Sequence, residues 1–410
     1  MISGDDVRIC ALVPNDAGWQ RVSLARPVVL GSGPEADVRL RRLARRHCRL
    51  EDHNGQVVAQ DLTGGALTVA GRSVGRQVRL SAGAVLRLAG VPIVLLQERG
   101  ATPWLSCGAL GSACPKMWRA MAELALAGES GAPLLVTGES GSGKELASRV
   151  AHDASPRANA AFVALNCAAL PAGLLEAELF GARRGAYTGS VDHRDGAFVR
   201  ADGGTLLLDE VGELSAAAQA ALLRVLETGE VQVVGGDVRR VDVRVIAATH
   251  RDLRAAVADG GFRLDLLHRL AVAEVQLPPL RARAVDLLPL LERFLGAPLP
   301  RDAAAALRDH GWPGNVRELR NVARRLAMRC GGASPTVAEV RRAIGIPPAP
   351  APSPHRRALV AGLLETCPTV GAAHRASGLP RSTFFRYVKE LRSPMTPDAP
   401  AAAPVGVLMT

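Results

Sequence analysis

The chain has 410 residues, of which 48% are hydrophobic and 22% charged, a composition typical of globular protein and long enough for about three domains. Its net charge of +11 favours a polyanionic partner. The seven cysteines have no C-x-x-C spacing, and neither a leader-like N-terminus nor a run of about 18 apolar residues occurs. These features argue against a disulfide scaffold, a cysteine metal site and a membrane span, so we expect a cytoplasmic protein.

Residues 1–98 predict an all-β sandwich. Short apolar runs there are separated by Gly, Pro, Asp and Asn turn signals, which is the pattern of antiparallel strands. The runs lie at 28–30, 56–60, 66–69, 78–80 and 91–96. Residues 99–115 have no clear periodicity and are rich in Gly, Pro, Ser and Thr, so they predict a linker between domains.

A spaced set of residues in this region resembles the signature of a forkhead-associated (FHA) domain, a sandwich that reads phosphothreonine. The matching positions are Gly31, Arg45, Arg46, His47, Asp61, Leu62 and Gly71. Family members usually have Arg, Ser and Asn where this chain has Ser32, Ala44 and Gly65, and each of those side chains bonds the phosphopeptide. The resemblance implies a phosphoprotein ligand, whereas the departures favour a docking sandwich that reads another protein, and both readings remain open.

Residues 116–284 predict an α/β domain that begins with a phosphate-binding loop. Apolar runs at 134–137, 162–166, 205–208, 243–247 and 273–276 alternate with helical stretches, as in a parallel sheet flanked by helices. A glycine-rich turn follows the first run and opens a helix, so its backbone N–H groups can point at phosphates and its lysine can reach the β- and γ-oxygens. The predicted nucleotide-binding residues are Gly138, Glu139, Ser140, Gly141, Ser142, Gly143, Lys144 and Glu145.

Two acids end the third of these runs. In the stretch Gly203 to Glu210, apolar residues lead into Asp209 and Glu210 at the carboxyl edge of the predicted sheet, where ligands of such folds bind. Asp209 is suited to organise Mg²⁺, and Glu210 to polarise an attacking water. Together with the loop, these acids predict an ATP hydrolase that uses ATP and Mg²⁺.

The stretch between the two motifs resembles the GAFTGA loop of sigma-54-dependent transcriptional activators, a branch of the AAA+ ATPases. The loop residues are Gly185, Ala186, Tyr187, Thr188, Gly189 and Ser190. The resemblance implies that this loop contacts sigma-54 RNA polymerase and that the protein forms a homo-oligomeric ring, normally a hexamer. Tyr187 keeps the aromatic face of the usual Phe, and Ser190 is a mild change from Ala.

The same resemblance assigns roles to further positions. It implies that Asn166 bonds Glu210, that Arg263 and Arg269 are arginine fingers for a neighbouring subunit, and that Arg317 is the sensor II residue. His250 occupies the sensor I position, where Asn is usual, and still offers a hydrogen bond. Glu145 replaces the Ser or Thr of the general loop pattern, which is usual in this family.

The C-terminal third predicts only helices. Residues 285–346 are expected to form a helical lid, and the Pro-rich residues 347–354 a stiff linker. Residues 355–392 resemble the Fis-type helix-turn-helix of these activators, which implies binding to double-stranded DNA upstream of promoters. The expected DNA contacts are Arg381, Ser382, Thr383, Arg386 and Lys389. Residues 393–410 are rich in Pro and Ala, and we expect them to be disordered.

Two other functions compete with a sigma-54 activator. One is a AAA+ remodelling ATPase with a different protein target, which would not need the GAYTGS tip. The other is a DNA-bound scaffold that binds ATP without turnover because of His250. The presence of Glu210 and of both finger arginines argues against the scaffold.

Overall fold

A computed structural model describes residues 8–16, 18–65, 67–69, 72–99, 104–183, 195–308, 310–331, 333–345, 354–367 and 369–379, with residues 384, 387, 388 and 391. The chain divides into two compact units, Met1–Thr336 and Val337–Thr410. Within the described ranges, no helix combines the length and the apolar character that crossing a bilayer requires.

The N-terminal domain is the predicted β-sandwich. One of its sheets has the strand order β4-β3-β5-β6-β9, and the other has the order β13-β12-β11-β10-β7-β8, with β1 paired to β11 and β2 paired to β1. The strands are β1 (Arg8–Asn15), β2 (Gly18–Ser23), β3 (Val28–Gly31), β4 (Val38–Arg39), β5 (Cys48–Asp52), β6 (Val57–Asp61), β7 (Thr68–Val69), β8 (Arg72–Ser73), β9 (Gln77–Leu80), β10 (Val85–Leu88), β11 (Val91–Arg99), β12 (Trp104–Cys107) and β13 (Leu110–Ser112).

The sheet that contains β1 and β11 is buried on both faces. Side chains alternate between the faces of a strand, and on β1 the residues Ile9, Ala11 and Val13 lie in the core of the sandwich. The intervening residues Cys10 and Leu12 lie in a second core, which they share with the first helix and the central sheet of the next domain. On β11, Ile93 and Leu95 lie in the core of the sandwich, and Val94 and Leu96 lie in the second core. The sandwich and the central domain therefore share one apolar core.

The segment predicted as a linker is structured in its second half. Strand β11 runs to Arg99, past the predicted boundary at residue 98, and β12 and β13 then form a hairpin that extends the same sheet. The hairpin is ordered because Leu105, Cys107 and Leu110 are buried in the shared core. The Gly and Ser residues that suggested a linker serve the hairpin instead, so the linker prediction for residues 104–112 was wrong.

The central domain is a parallel sheet flanked by helices, as predicted. The strand order is β15-β16-β19-β14-β20, and every pairing is parallel. The elements are α1 (Pro115–Ser130), β14 (Leu134–Thr137), α2 (Lys144–Asp153), β15 (Phe162–Asn166), α3 (Ala172–Phe180), α4 (Ala197–Arg200), β16 (Thr205–Asp209), α5 (Ala216–Thr228), β17 (Glu230–Gln232), β18 (Val238–Arg240), β19 (Arg244–Thr249), α6 (Leu253–Ala258), α7 (Leu264–Leu270) and β20 (Ala273–Gln276). Strands β17 and β18 form a separate hairpin.

Helices follow the last strand of the sheet. A 3₁₀ stretch, Leu280–Asp286, leads into α8 (Leu287–Leu295), α9 (Arg301–Ala305) and α10 (Asn315–Cys330), the helical lid. Helix α10 is amphipathic, with Leu319, Val322 and Leu326 buried on one face. The second unit begins with α11 (Val337–Ile344), within the range predicted for the lid.

The second unit has a small core of its own. Helices α12 (Pro354–Thr366) and α13 (Val370–Ser377) pack together, and α13 ends at Gly378 with φ of 61°, at the predicted turn. Phe384 and Tyr387 are helical and are buried with Val360 of α12. The helix-turn-helix stays a prediction, because its expected DNA contacts at residues 381, 382, 383, 386 and 389 lie outside the described residues.

The shared core predicts that the sandwich stabilises the central domain. Leu96 of β11 is fully buried in that core, so Leu96→Ala should lower the free energy of unfolding by about 2–5 kcal/mol. The measurement is urea unfolding followed by circular dichroism. Leu174→Ala is the matched control, because Leu174 on α3 is exposed. Equal effects of the two substitutions would contradict a shared core.

Candidate nucleotide-binding site

The turn between β14 and α2 has the shape of a phosphate cradle. Gly141 and Gly143 have φ of 75° and 109°, a left-handed backbone that favours glycine. A Cβ on Gly141 would lie 2.4 Å from the carbonyl oxygen of Gly314, so no other residue fits where the lid approaches the loop. Lys144 is only 6% exposed, and its Nζ donates to the Gly138 carbonyl oxygen at 3.1 Å. The Lys144 side chain therefore connects the last residue of the loop region to its first glycine.

Strand register brings the predicted acids to this loop. Asn166 at the end of β15 pairs with Asp209 at the end of β16, and Asp209 pairs with Ala248 on β19. Thr249 of β19 pairs in turn with Thr137, the last residue before the loop. Because all these strands are parallel, their carboxyl ends meet at one edge of the sheet.

Glu210 lies between two nitrogen-bearing side chains. Its Oε1 is 3.5 Å from Lys144 Nζ, and its Oε2 is 2.7 Å from His250 Nδ1. Asn166 was expected to bond Glu210, but its Nδ2 donates instead to Asp209 Oδ2 at 3.3 Å. The histidine at the sensor I position thus makes the contact with Glu210 that we expected from the asparagine.

The pKa values of Asp209 and Glu210 are shifted in opposite directions. Burial and the neighbouring Glu210 raise the pKa of Asp209, which the charge of Lys144 only partly offsets. Burial also raises the pKa of Glu210, but the hydrogen bonds from His250 and the charge of Lys144 outweigh it, so the net pKa lies below its ordinary value. Glu210 is therefore kept ionised, as a group that polarises water must be.

The loop retains an unused donor that suits a phosphate. Ser142 Oγ is buried and has no hydrogen-bond partner among the described residues, which is a costly arrangement unless a ligand completes it. For Mg²⁺, the described part of the chain holds no cluster of three or more His, Cys, Asp or Glu. A site that takes one or two carboxylates and the phosphates of its substrate needs no such cluster, so Asp209 fits Mg²⁺ bound with ATP.

Side chains of the lid contact the loop directly. Arg317 Nη1 donates to Ser140 Oγ at 2.9 Å, which places the predicted sensor II residue at the nucleotide loop. Arg281 Nη1 donates to Glu139 Oε2 at 2.7 Å, and Asn315 Nδ2 donates to the Ser140 carbonyl oxygen at 3.0 Å.

Two of these residues, Arg281 and Asn315, were not predicted from the sequence, although both are polar residues at the start of lid elements. Glu145, the remaining loop position, is exposed in the first turn of α2.

The predicted arginine fingers flank helix α7. Arg263 precedes the helix and pairs with Asp265 at 2.7 Å, and Arg269 lies in the last turn, 3.4 Å from Glu227. Their side chains are 48% and 57% exposed, so both are accessible from outside the chain. The structure brings neither of them to the phosphate loop of their own chain.

The predicted sigma-54 contact, residues 185–190, lies outside the described residues. The described residues on either side of it meet closely. A Cβ on Gly196 would lie 2.4 Å from the backbone nitrogen of Gly181. Gly181 and Gly196 are therefore in close backbone contact.

Three protein-family models match the chain in order. An FHA domain matches residues 28–89, a Sigma-54 interaction domain matches residues 110–276, and a AAA+ ATPase lid domain matches residues 281–353. A structure of NtrX from Brucella abortus in complex with ATP is 33% identical, covers 70% of both chains and has a TM-score of 0.53. The chain belongs to the family of sigma-54-dependent activators. Its central domain is an ATPase domain of the AAA+ class.

Curated proteins match about half of this chain. Transcriptional regulatory protein FlbD of Caulobacter vibrioides is 46% identical over 234 residues, which are 54% of this chain and 51% of that protein. The Nif-specific regulatory protein of Azotobacter vinelandii is 50% identical over 224 residues, 52% of this chain and 43% of that protein. The chain thus spans about half the length, or less, of these curated relatives.

The pair of Arg281 and Glu139 predicts a pH-dependent contact between the lid and the phosphate loop. The hydrogen bonds from Arg281 and Asn315 lower the pKa of Glu139 from 4.5 to about 2. A lowered pKa in the folded state adds stability above the ordinary value and loses it as the pH falls. Arg281→Ala should therefore destabilise the protein most near about pH 7, and its effect should shrink as the pH falls from 4.5 towards about 2.

The measurement is urea unfolding of both forms across that pH range. The same substitution in a Glu139→Gln background is the control, because the neutral amide removes the titration. There the effect of Arg281→Ala should not vary with pH. A constant effect in the unmodified background would show that the contact contributes nothing electrostatic.

Proposed function

We propose that this protein is a transcription activator that couples ATP hydrolysis in a homo-oligomeric ring to remodelling of sigma-54 RNA polymerase. The observation that carries the proposal is the position of Glu210, ionised and held between Lys144 and His250 beside a phosphate loop. The family supports sigma-54 RNA polymerase as the target, and the residues of the site support ATP hydrolysis as the reaction. Such a protein acts in the cytoplasm, where ATP and RNA polymerase are found.

The chain's own residues account for binding and for water activation. The loop N–H groups, Ser142 Oγ and Lys144 would hold the phosphates, and the Lys144 ammonium would leave Glu210 for them. Mg²⁺, bound by Asp209, would offset negative charge on the phosphates. Glu210, then freed from Lys144, would orient a water and accept its proton at a carboxylate oxygen.

Assembly into a ring would complete the site. Arg263 and Arg269 are exposed and do not contact the phosphate loop of their own chain, which supports a role towards a neighbouring subunit. A guanidinium placed at the γ-phosphate stabilises the charge of the transition state. Each carboxylate that now pairs with these arginines, Asp265 or Glu227, would give up its partner on assembly.

The other parts of the chain would supply targeting and regulation. The loop at 185–190 would contact sigma-54, and the C-terminal helices would hold DNA upstream of the promoter. The sandwich would receive the signal, as a phosphoprotein or another protein ligand. Ala44 stands where FHA domains usually have Ser, and it takes part in the FHA-like loops through its backbone. Its N–H donates to His47 Nδ1 at 3.2 Å, and its carbonyl accepts from Ser32 N at 2.9 Å.

A mixed-ring experiment tests both the base and the fingers. Glu210→Gln and Arg269→Ala should each lower ATP turnover by about 100-fold or more, because one removes the base and the other the trans guanidinium. Mixing the two inactive proteins should restore turnover, since an intact Arg269 of one subunit then meets an intact Glu210 site of the next. Turnover is measured as phosphate release over a protein-concentration series.

Glu123→Gln on α1 is the matched control for the base, because Glu123 pairs only with Arg119 on the surface. It should keep full turnover. Mixtures as inactive as their components would overturn the trans arrangement. An unmodified protein that shows no turnover at any concentration would favour the scaffold function instead.

The loop assignment is tested separately. Thr188→Ala should keep ATP turnover and lose transcription from a sigma-54 promoter, because the tip contacts the polymerase and not the nucleotide. The assays are phosphate release and transcription in vitro with purified polymerase. Thr228→Ala is the control, since that exposed hydroxyl donates to the Arg224 carbonyl of its own helix and accepts the N–H of Glu230. Unchanged transcription by the Thr188 variant would favour a remodelling ATPase with another target.

A further inference from the structure

A chain of buried polar groups leads from the N-terminal sheet to the phosphate loop. Its members are Ser112, Asp286, Arg283 and Ser142, and each is at most 2% exposed. Ser112 Oγ donates to Asp286 Oδ2 at 2.6 Å, and Arg283 Nη2 donates to the Ser142 carbonyl oxygen at 2.8 Å. Asp286 Oδ2 and Arg283 Nη1 are 3.9 Å apart and join the two halves.

Asp286 is anchored by the hairpin that continues the sandwich. Its Oδ1 accepts the N–H of Ala113 at 2.7 Å, and Ser112 Oγ in turn accepts the N–H of Cys114, the residue before α1, at 2.9 Å. The two carboxylate oxygens of Asp286 are therefore held by Ser112, the last residue of β13, and by Ala113, the next residue. Ser112 pairs with Leu105 on β12, and Leu105 pairs with Glu98 on β11. The anchor is thus part of the N-terminal sheet.

Arg283 is held in an unusual position to reach the loop. Its φ of −129° and ψ of 49° interrupt the 3₁₀ stretch, and its Nε is buried without a partner among the described residues. A buried guanidinium with an unmet donor is expensive, and its ion pair with Asp286 is long. Packing alone would be served by an apolar side chain. The contact that requires an arginine is the one to the Ser142 carbonyl.

That carbonyl matters because of its place in the loop. Ser142 precedes Gly143, the N-cap of α2, and Lys144 follows directly. The C=O and N–H of a trans peptide point in opposite directions. By holding the Ser142 carbonyl, Arg283 therefore also sets the direction of the Gly143 N–H in the phosphate loop. Arg281 and Arg317 contact the loop through exposed side chains, whereas Arg283 contacts it from the buried side.

We propose that Arg283 is a positioning residue for the phosphate loop, and that Asp286 and Ser112 tie its position to the N-terminal sheet. The inference rests on the proposed function, since it takes the loop to be the ATP site. It gives the sandwich a physical route to nucleotide affinity: a shift of the hairpin moves Asp286, then Arg283, then the loop.

The test uses Ser112→Ala, Arg283→Lys and Arg283→Met in the full chain. Ser112→Ala should raise the KM for ATP and the Kd of an ATP analogue by about 5-fold, the effect of one buried hydrogen bond, with kcat unchanged within about 2-fold. Arg283→Met should raise both by more, and Arg283→Lys should recover part of the loss because its ammonium can still donate. Ser130→Ala is the control; it removes a hydroxyl that donates to the Ala127 carbonyl and accepts the N–H of Ala132, just after the end of α1.

One further readout separates positioning from general stability. The effect of Ser112→Ala on Kd should vanish when Arg283 is already Met, whereas the loss of stability from the unpaired buried groups should remain there. If Arg283→Met does not fold, Ser112→Ala and Arg283→Lys carry the test. Unmodified protein that binds ATP while no variant changes the KM or Kd would overturn the inference alone. Unmodified protein that binds no nucleotide would overturn the proposed function and the inference with it.

Discussion

The contact between Lys144 and Glu210 depends on one constraint, the parallel register of strands buried in the central sheet. Strands β16 and β19 are apolar along nearly their whole length, so their polar residues can stand only where the strands end. The parallel order places those ends on one edge, next to the loop that follows β14. A lysine and a glutamate 66 positions apart in sequence are thereby brought to 3.5 Å.

The N-terminal sandwich is tied to that sheet by a second, purely apolar constraint. Because β1 and β11 bury residues on both faces, the sheet between the sandwich core and α1 cannot be exposed without losing apolar contacts on one side. Arg87 adds a polar contact at the rim, where its Nε donates to Glu129 Oε2 at 2.9 Å. The sandwich is therefore packed on the ATPase domain through an apolar interface with a polar contact at its rim.

The sequence predicted those parts of the structure that depend on local patterns. Strands at 134–137, 162–166 and 273–276 were predicted with the bounds they have, because continuous apolar runs bounded by turn residues identify buried strands. The loop and the two acids followed from motifs with a physical mechanism. The hairpin at 104–112 was missed, since its short strands are ordered by contacts with residues far away in sequence. Arg281 and Arg283 were missed for the same reason, because each reaches the loop across about 140 residues.

The hydrogen-bond partner of Glu210 could not be predicted from a local sequence pattern. A family motif placed Asn166 and His250 at the same edge of the sheet, yet only the geometry shows that Asn166 bonds Asp209 and His250 bonds Glu210. The histidine changes what the sensor I position can do. An asparagine offers an amide nitrogen with two hydrogens and a carbonyl oxygen, whereas a neutral imidazole offers one donor nitrogen and one acceptor nitrogen.

That difference bears on whether His250 disables the site. A neutral imidazole that donates from Nδ1 would keep the hydrogen bond and let Glu210 turn once Lys144 moves to the phosphates. The side chain of His250 is 45% exposed, so water can take over its hydrogen bond at little cost when Glu210 leaves. The substitution is therefore compatible with turnover.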